Sequence, residues 1–333
     1  MQLEFSVLGG RDIVDLLEGG EKDIVDRVRE AYLTHESGAT VNPDSYFLRF
    51  PDKPDSRIIA LPAYLGGDSG VAGIKWIASF PKNTEAGIPR ASAVLVLNDY
   101  ATGYPFAVLE SAGISAARTA ASAALAATTL AARPPATVGV LGGGVIARTV
   151  CRYLHTTGTP LTEVRCHDLD EASATALSGH LADSYGADAR PATAAEALDC
   201  DLVVLATTAP RPYVRADRAF RADQLILNIS LRDLAPEILL GANNVFDDVE
   251  HCMKADTSPH LAEQLTGGRA FVTGTLAQVI EGTVRPDPSR PTVFSPFGLG
   301  VLDLAVGHHL YERARAEGRL VTIPDFFGET RRW

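Results

Sequence analysis

A glycine-rich turn between a short apolar run and an amphipathic segment constrains the fold of this chain more than any other feature. Residues 138–141 predict a strand and residues 146–155 predict a helix. The turn between them reads GxGxxA, with its small residues at Gly142, Gly144 and Ala147. Such glycines permit a tight turn and let the backbone approach a pyrophosphate, and the third small residue lets helix and strand pack closely. The sequence therefore predicts a dinucleotide site at the start of this helix, where free amides bind anions.

An acidic residue follows the next predicted strand. Asp168 comes directly after residues 163–167, about where a carboxylate binds the adenosine ribose in dinucleotide-binding proteins. Leu169 and Asp170 come next, so neither an arginine nor a lysine stands where it would meet a 2′-phosphate. The sequence therefore favours NAD over NADP.

From about residue 111, predicted strands alternate with predicted helices, which is typical of βαβ units and a parallel sheet. One of these strands, residues 202–206, precedes Thr207 and Thr208, where such a sheet delivers side chains to the nicotinamide. A purely structural role for the two threonines is the alternative. Before residue 111 the pattern predicts amphipathic helices over 12–35, followed by mostly antiparallel strands.

The charge and hydropathy of the chain restrict its partners. Its 333 residues carry a formal net charge of −11, which argues against nucleic acid or an anionic membrane because both require a basic face. No apolar run approaches the roughly 20 residues of a membrane-spanning helix, and the first residues do not resemble a signal peptide. We therefore expect a cytoplasmic protein with a small-molecule substrate. No metal site is expected, because none of the four cysteines forms a CxxC pair or a His/Cys cluster with the spacing of a zinc finger. They are Cys151, Cys166, Cys200 and Cys252.

Several short motifs occur in order over almost the whole chain. They are residues 73–76 (GIKW), 80–83 (FPKN), 87–89 (GIP), 109–110 (LE), 117–123 (ARTAASA), 142–144 (GGG) and 228–233 (NISLRD). Together they resemble the ornithine cyclodeaminase/mu-crystallin family. The resemblance implies an NAD-dependent oxidoreductase that acts on an amino acid as a homodimer.

Within that family, a second set of stretches is closest to one branch. They are residues 45–49 (SYFLR), 76–81 (WIASFP), 89–93 (PRASA), 247–251 (DDVEH) and 295–300 (SPFGLG). They look like the dehydrogenases of 2,3-diaminopropionate biosynthesis, whose product enters siderophore or antibiotic assembly. The resemblance implies oxidation of the secondary amine of N-(2-amino-2-carboxyethyl)-L-glutamate by NAD+. Hydrolysis of the resulting imine then gives 2-oxoglutarate and L-2,3-diaminopropionate.

The resemblance also implies how the domains are arranged. It predicts an α/β protein in which a Rossmann-type doubly wound sheet is inserted into an α+β substrate-binding and dimerisation domain. Residues 1–115 plus 299–333 are expected to form the latter, and residues 116–298 the NAD-binding domain. The change in sequence pattern near residue 111 and a predicted last helix over 298–317 agree with this division.

Lys75 and Arg118 are the first candidates for contacts with the substrate. The resemblance implies that Lys75 binds the substrate carboxylate near the reacting Cα; proton transfer is the second choice and an exposed surface lysine the alternative. Arg118 and Thr119 are predicted at the start of an alanine-rich helix, residues 115–132, where a guanidinium and helix amides would clamp an anion. The resemblance places them between substrate carboxylate and cofactor phosphate. The alternative is an Arg–acid pair that ties the two domains together.

Asp233 is the second candidate for catalysis. It follows a strand predicted at 225–229, and Asn228 precedes it at the spacing of the family pattern. The resemblance implies that Asn228 and Asp233 bind the substrate, with Asp233 holding the substrate amine and accepting a proton from the attacking water. The alternative is that Asp233 caps a helix, and the two roles can coexist.

The expected substrate carries three carboxylates, so further cationic or hydroxyl groups are needed around it. The candidates are Arg49, Arg90, Ser92 and Arg232. The family pattern usually has a substrate-binding arginine after an early proline, but residues 42–45 (NPDS) contain none. We expect Arg49 to supply that charge. His251 is interpreted as structural.

The resemblance also implies a set of cofactor contacts along the predicted Rossmann domain. These residues are Arg118, Thr119, Gly142, Gly144, Val145, Ile146, Asp168, Thr207, Thr208 and Ser230. Since substrate and cofactor are both anionic, the basic residues Lys75, Arg118 and Arg49 must create a local positive pocket in an acidic protein.

Two further functions remain open at this point. One is an ornithine cyclodeaminase or related imine reductase that uses the same fold and cofactor. The second is a mu-crystallin-like protein that retains NAD(H) without catalysing a reaction. The presence of Lys75, Asn228 and Asp233 argues against this binding protein.

Overall fold

The computed structural model describes residues 4–328, which form two compact units. Unit 1 consists of two segments, Met1–Arg118 and Leu299–Trp333, which are described over residues 4–118 and 299–328. Unit 2 is the continuous segment Thr119–Gly298. Strands and helices are numbered along the chain. The division falls within helix α3 (Ala112–Leu130), after its first two turns.

Unit 1 combines a mixed sheet with helices on one face. Its strands are β1 (Ser6–Leu8), β2 (Thr40–Val41), β3 (Tyr46–Phe50), β4 (Lys53–Leu65), β5 (Val71–Ser79), β6 (Ala91–Asp99), β7 (Pro105–Glu110) and β16 (Val321–Thr322). Its helices are α1 (Gly10–Leu17), α2 (Glu21–Glu36), the first turns of α3, α11 (Gly300–Ala316) and a 3-10 turn (Pro81–Ala86).

The sheet of unit 1 runs in the order β16-β1-β7-β6-β5-β4-β2, with β3 also paired to β4. All these pairs are antiparallel except β1 with β7. Helix α11 packs closely on this sheet because glycines stand where the two elements meet. A Cβ on Gly73 would lie 2.8 Å from a methyl carbon of Leu304, and one on Gly307 would lie 2.2 Å from Leu95. Any larger residue at either position would push the helix outward.

Unit 2 alternates strands and helices. Its strands are β8 (Thr137–Leu141), β9 (Glu163–His167), β10 (Asp188–Pro191), β11 (Leu202–Leu205), β12 (Leu225–Asn228), β13 (Asn243–Phe246), β14 (Val272–Thr275) and β15 (Thr292–Ser295). Its helices are the rest of α3, α4 (Val145–Thr156), α5 (Glu171–Tyr185), α6 (Ala194–Leu198), α7 (Pro236–Leu240), α8 (Val249–Cys252), α9 (Ser258–Thr266) and α10 (Leu276–Glu281).

The sheet of unit 2 is parallel throughout and has the order β10-β9-β8-β11-β12-β15-β13-β14. From β10 to β12 this is the strand order of a Rossmann sheet. The chain adds β9 and β10 on one side of β8 and then β11 and β12 on the other side, so the order of the strands reverses between β8 and β11. Since all strands are parallel, their carboxyl ends lie along one edge. Ligands of such sheets bind at this edge, next to the point of reversal.

The local pattern predicted the main elements of the chain well, and it missed the shorter ones. The helix predicted over 146–155 lies within α4, and the helices predicted over 12–35 are present as α1 and α2. The elements between β12 and β15, which are four to nine residues long, were not predicted, because such short runs carry no clear periodicity. Within residues 4–328, none of the helices has the length and apolarity needed to cross a membrane.

Candidate active site

A cluster of three charged residues lies largely out of contact with water in unit 1. The Lys75 ammonium donates to the Asp303 carboxylate, with Nζ 2.6 Å from Oδ2, and to the Ser115 hydroxyl at 3.2 Å. The Arg118 guanidinium donates through Nε to the other oxygen of Asp303 at 3.3 Å. Lys75 and Asp303 are 2% and 0% exposed, so Lys75 is not the surface lysine that was the alternative. One buried carboxylate thus stands between two cations, of which Lys75 is buried and Arg118 is 12% exposed.

Three elements of unit 1 bring this cluster together. Lys75 is on the central strand β5, Arg118 on helix α3 and Asp303 on helix α11. The sequence interpretation missed Asp303, although one signal was present: it is a single acid in an otherwise apolar stretch, Leu299–Val306. A charge on a face that must be buried requires a partner. The partner was not identifiable, because it lies more than two hundred residues earlier in the chain.

The expectation that Arg118 stands at the start of its helix is wrong. Helix α3 begins at Ala112, so Arg118 lies in its second turn, beyond the reach of the free amides at the N-terminus. The proposed Arg–acid pair does exist, but both of its members, Arg118 and Asp303, belong to unit 1. Thr119, the next residue, is half-buried.

Burial changes the acid–base behaviour of Lys75. Loss of contact with water lowers its pKa from 10.5 to about 8, and the positive charge of Arg118 also lowers it. The carboxylate of Asp303 opposes both effects. Lys75 is therefore mainly charged at neutral pH, yet it loses its proton more readily than an exposed lysine does. Both roles predicted for it, carboxylate binding and proton transfer, are compatible with this value.

The glycine turn of unit 2 has the shape that a dinucleotide needs. Gly142 has φ of +99°, and a Cβ there would lie 2.3 Å from the carbonyl oxygen of Ala206. Gly144 is the N-cap of α4 without a side-chain cap, and the space beside its Cα is open. Val145 is 60% exposed and Ile146 is half-buried. The first amides of α4 are thus open to an anion.

Asp168 lies beside this turn, as predicted. Its carboxylate accepts from the backbone N–H of Gly143 at 2.6 Å and from that of Asp170 at 2.9 Å. These bonds fix the carboxylate at the carboxyl end of β9, next to the glycine turn. The arrangement suits a dinucleotide whose ribose hydroxyls would donate to the remaining lone pairs of Asp168.

Asp233 is at the centre of a hydroxyl cluster in unit 2. Thr207 donates to both carboxylate oxygens at 3.0 Å, Ser230 donates at 2.6 Å and the Tyr213 phenol donates at 3.3 Å. Burial raises the pKa of Asp233 above its usual value of 3.8, while the Ser230, Thr207 and Tyr213 hydrogen bonds oppose that rise. The cluster thus holds a buried carboxylate that is stabilised by three donors. Tyr213 was not predicted, because nothing in its local sequence marks it.

The helix-capping alternative for Asp233 is wrong. Helix α7 begins at Pro236 with Ala235 as its N-cap, which makes no side-chain capping bond. The chain instead turns sharply at Leu231, whose φ of 76° is uncommon for a residue other than glycine. The turn lies between Ser230 and Asp233, whose side chains hydrogen-bond to each other.

The remaining sequence candidates near this edge have structural partners, with one exception. Asn228 is fully buried at the end of β12 and donates to the Ser295 hydroxyl at 3.0 Å. Arg232 donates to the carbonyl of Ala255 at 3.0 Å. His251, interpreted as structural, is paired with Asp248 at 2.9 Å. Thr208, by contrast, is exposed.

The strand register of unit 1 separates Arg49 from Ser92. Alternate side chains point to opposite faces, and register pairs Lys75 with Leu61 and Leu95. On that same face, four residues further along β5, Ser79 pairs with Arg57, and Arg57 pairs with Arg49. Arg90 joins this row through a hydrogen bond to Ser79 at 3.1 Å.

Ser92 has the opposite orientation. It pairs with Ala78, so it shares the face of Trp76 and Val94. The structure therefore does not bring Ser92 together with Lys75. The sequence could not show this, because the register that decides the face depends on pairing between strands.

Among residues 4–328, no group of three or more His, Cys, Asp or Glu side chains is arranged to hold a metal ion. In the same part of the chain, all four cysteines are free thiols and buried.

Comparison with known proteins decides the family. The model of the ornithine cyclodeaminase/mu-crystallin family matches residues 17–318. The chain belongs to this family. The resemblance that the sequence motifs indicated is thereby confirmed.

Relatives within the family match along nearly their whole length. The alanine dehydrogenase of Archaeoglobus fulgidus is 30% identical over 94% of this chain and 96% of its own. The N-((2S)-2-amino-2-carboxyethyl)-L-glutamate dehydrogenase of Staphylococcus aureus is 28% identical over 97% of this chain and 99% of its own. A solved archaeal alanine dehydrogenase dimer with bound NAD superposes with a TM-score of 0.86 at 28% identity, over 97% of this chain and all of that one. The predicted fold class is confirmed as well.

Proposed function

We propose that this family member oxidises N-(2-amino-2-carboxyethyl)-L-glutamate with NAD+ and releases 2-oxoglutarate and L-2,3-diaminopropionate. The coarser part of this assignment, an NAD-dependent oxidoreductase that acts on an amino-acid C–N bond, is confirmed by the relatives. In the proposed reaction the glutamate Cα–H and amine N–H are replaced by a C=N bond, and NAD+ becomes NADH with release of one proton. Water then cleaves the imine into the ketone and the primary amine.

The proposed substrate is supported mainly by a row of arginines on the sheet face of unit 1 that also contains Lys75. Arg49 and Arg57 share that face, four residues along the strands from Lys75, and Arg90 reaches Ser79 in the same row through its hydrogen bond. At about 3.3 Å per residue, the row lies roughly 13 Å from Lys75 along the sheet, which long arginine side chains can partly span. A substrate with one carboxylate needs no such row. A substrate with three carboxylates has charges left for it after Lys75 and Arg118 have bound the first.

The open amides of α4 and the Asp168 carboxylate would hold NAD+, whose nicotinamide would supply the hydride acceptor for the substrate carbon. The chain itself would do the rest. Lys75 and Arg118 would orient the substrate by its α-carboxylate. Asp233 would first stabilise the substrate ammonium and then take a proton from the water that attacks the imine.

The 30% sequence identity to alanine dehydrogenase supports a second candidate function, which is the oxidation of a small amino acid with a single carboxylate. Ornithine cyclodeaminase activity is a third candidate function, and NAD(H) retention without catalysis is a fourth. Steady-state kinetics with NAD+ distinguish all four. The proposal expects the glutamate conjugate to have the highest kcat/KM, with both products formed. Three results would each contradict it. They are a higher kcat/KM for L-alanine, the release of ammonia and proline from L-ornithine, and binding of NADH without turnover of any of these substrates.

The arginine row leads to a test of specificity. Arg90→Gln is expected to raise KM for the conjugate about tenfold or more, because a charge-assisted hydrogen bond contributes about 1.5–3 kcal/mol. Burial lowers the pKa of Arg90, which indicates a guanidinium partly withdrawn from water. Arg11→Gln, an exposed arginine on α1, is the matched control. If KM were unchanged in Arg90→Gln, the arginine row would have no part in substrate recognition.

We also propose that the chain forms a homodimer through the sheet face opposite to Lys75. Register aligns Tyr46, Ala60, Trp76 and Val94 in one row on that face. Tyr46, Trp76 and Val94 are 72%, 41% and 40% exposed. An exposed row of large apolar residues is a common feature of subunit interfaces. The related alanine dehydrogenase structure, described as a dimer, supports a second copy of the chain as the occupant.

Val94→Lys is expected to convert this dimer into a monomer. In a two-fold symmetric interface the substitution buries two unpaired ammonium groups, which costs several kcal/mol. Light scattering after size-exclusion chromatography measures the mass directly. Val14→Lys, at a position on α1 that is 59% exposed, is the control and should keep the mass of the wild type. A dimer that persists in Val94→Lys would contradict the proposed interface.

A further inference from the structure

Asp303 is the most deeply buried charged group of unit 1 that the proposed reaction leaves without a role. Its carboxylate is 0% exposed and receives hydrogen bonds from both Lys75 and Arg118. It stands on α11, in a stretch where Val301, Leu302 and Leu304 are buried apolar residues. A buried ion pair is often no more stabilising than apolar residues of the same volume. Its presence therefore calls for another explanation.

We propose that Asp303 is a positioning residue that holds Lys75 and Arg118 as a paired cationic receptor for the α-carboxylate of the substrate. This inference rests on the proposed function, in which that carboxylate binds to the two cations. Asp303 would not touch the reacting atoms. It would act through the two side chains that it orients and keeps charged.

The hydrogen bonds around Asp303 distribute the donors in a way that suits this role. Arg118 uses Nε for Asp303, so its two terminal nitrogens are the ones that can bind a carboxylate in the bidentate manner. Lys75 has three N–H bonds, of which one goes to Asp303 and one to Ser115. We assign the third to the substrate carboxylate. Each cation thus has a fixed orientation and a donor directed at the substrate.

The charges of the cluster explain why a carboxylate is needed at position 303. Among the groups of unit 1 that act on the Lys75 ammonium, Arg118 is positive and Asp303 is negative. With Asp303 present the cluster has a net charge of +1, which one substrate carboxylate neutralises. Without it, the two cations would have no carboxylate between them, and Lys75 would lose its proton more readily to relieve the repulsion. A neutral amine binds a carboxylate far more weakly than an ammonium does.

The packing of α11 fixes the position of Asp303. Gly73 and Gly307 allow close contact between the helix and the sheet on both sides of the cluster. Gly300 also lies against the sheet, since a Cβ there would be 3.1 Å from the Cβ of Ala63. A helix held at three points cannot shift to follow a longer or shorter side chain at position 303.

The five lysines of the chain make the test direct. Protein labelled with 13C at lysine Cε gives one NMR signal for each of Lys22, Lys53, Lys75, Lys82 and Lys254. The signal that disappears in Lys75→Arg identifies Lys75. In the wild type we expect it to titrate near pH 8. In Asp303→Asn we expect the titration to move down by about one pH unit or more. The control Asp15→Asn, which removes an exposed carboxylate of the same unit, should leave it unchanged.

A second variant keeps the test decisive if Asp303→Asn does not fold. Asp303→Glu retains the charge but displaces it, so Lys75 should titrate within about half a pH unit of the wild type. The value of kcat/KM should fall about tenfold or more, because misplacement of a binding group by about 1 Å is costly. An unchanged Lys75 titration in Asp303→Asn would overturn the proposal, as would unchanged kcat/KM in Asp303→Glu.

The NMR titration needs no substrate, so it separates this inference from the proposed function. If Lys75 titrates lower in Asp303→Asn but the conjugate is not oxidised, Asp303 controls Lys75 and the assigned substrate is wrong. If the conjugate is oxidised but the titration does not move, the function stands and the role of Asp303 falls.

Discussion

Lys75→Met is expected to lower kcat/KM for the conjugate by about 10²- to 10³-fold, mainly through KM. The variant removes one of the two cations assigned to the substrate carboxylate and leaves Asp303, which is 0% exposed, without its 2.6 Å partner. Removal of one member of a buried charge pair also lowers the free energy of unfolding by about 3–5 kcal/mol. Lys22→Met, an exposed lysine on α2, is the control. Binding of NADH, measured by its fluorescence, should be retained, which shows that the variant is folded.

The pH dependence distinguishes the two roles of Lys75. Its pKa of about 8 means that the ammonium is present below pH 8 and lost above it. If Lys75 binds the carboxylate as a cation, kcat/KM for the wild type falls as the pH rises through about 8. If Lys75 is a general base, kcat/KM rises over the same range instead. Lys75→Met should remove whichever limb is observed. An unchanged profile and unchanged KM in the variant would exclude both roles.

Asp233→Asn is expected to lower kcat by about 10²- to 10⁴-fold with a smaller change in KM, because an amide cannot accept the proton of the attacking water. The substitution keeps the size of the side chain, so the hydroxyls of Thr207, Ser230 and Tyr213 can still surround it. Asp217→Asn, at an exposed position of the same unit, serves as the control. Stopped-flow measurement of NADH, together with product analysis, separates oxidation from imine hydrolysis.

The raised pKa of Asp233 predicts that kcat falls on the acid side of the pH profile. Burial raises its pKa above 3.8, so the carboxylate becomes protonated at a higher pH than an exposed aspartate does. Since only the ionised form accepts a proton, kcat should fall as the pH decreases through that raised value. This fall should be absent from the residual activity of Asp233→Asn. A kcat within a few-fold of the wild type in this variant would contradict the proton-transfer role.

The parts of the site that lie within one short segment were predictable from the sequence. The turn from β8 to α4 is one such segment, because the GxGxxA spacing stands between a clear strand and a clear helix, and because Gly142 has a positive φ and no room for a Cβ. Asp168 was predictable for the same reason, since it directly follows a clear strand. These local requirements are visible in any single sequence.

The parts that depend on pairing between distant segments were not predictable. Asp303 meets Lys75 across most of the chain, and a single sequence carries no record of that contact. The opposite orientations of Ser92 and Lys75 follow from strand register, which only the folded sheet defines. The start of α3 was predicted three residues too late, which was enough to misplace Arg118 at the helix N-terminus.

In the proposed reaction, the first bond to break is the Cα–H of the glutamate half of the conjugate. The most direct test uses the conjugate deuterated at that carbon, with NAD+ and the wild-type protein, followed by mass spectrometry of all products. We predict one deuterium in the reduced dinucleotide, with equal amounts of 2-oxoglutarate and L-2,3-diaminopropionate. Reduced dinucleotide without deuterium, or none at all while L-alanine or L-ornithine is turned over, would contradict the account.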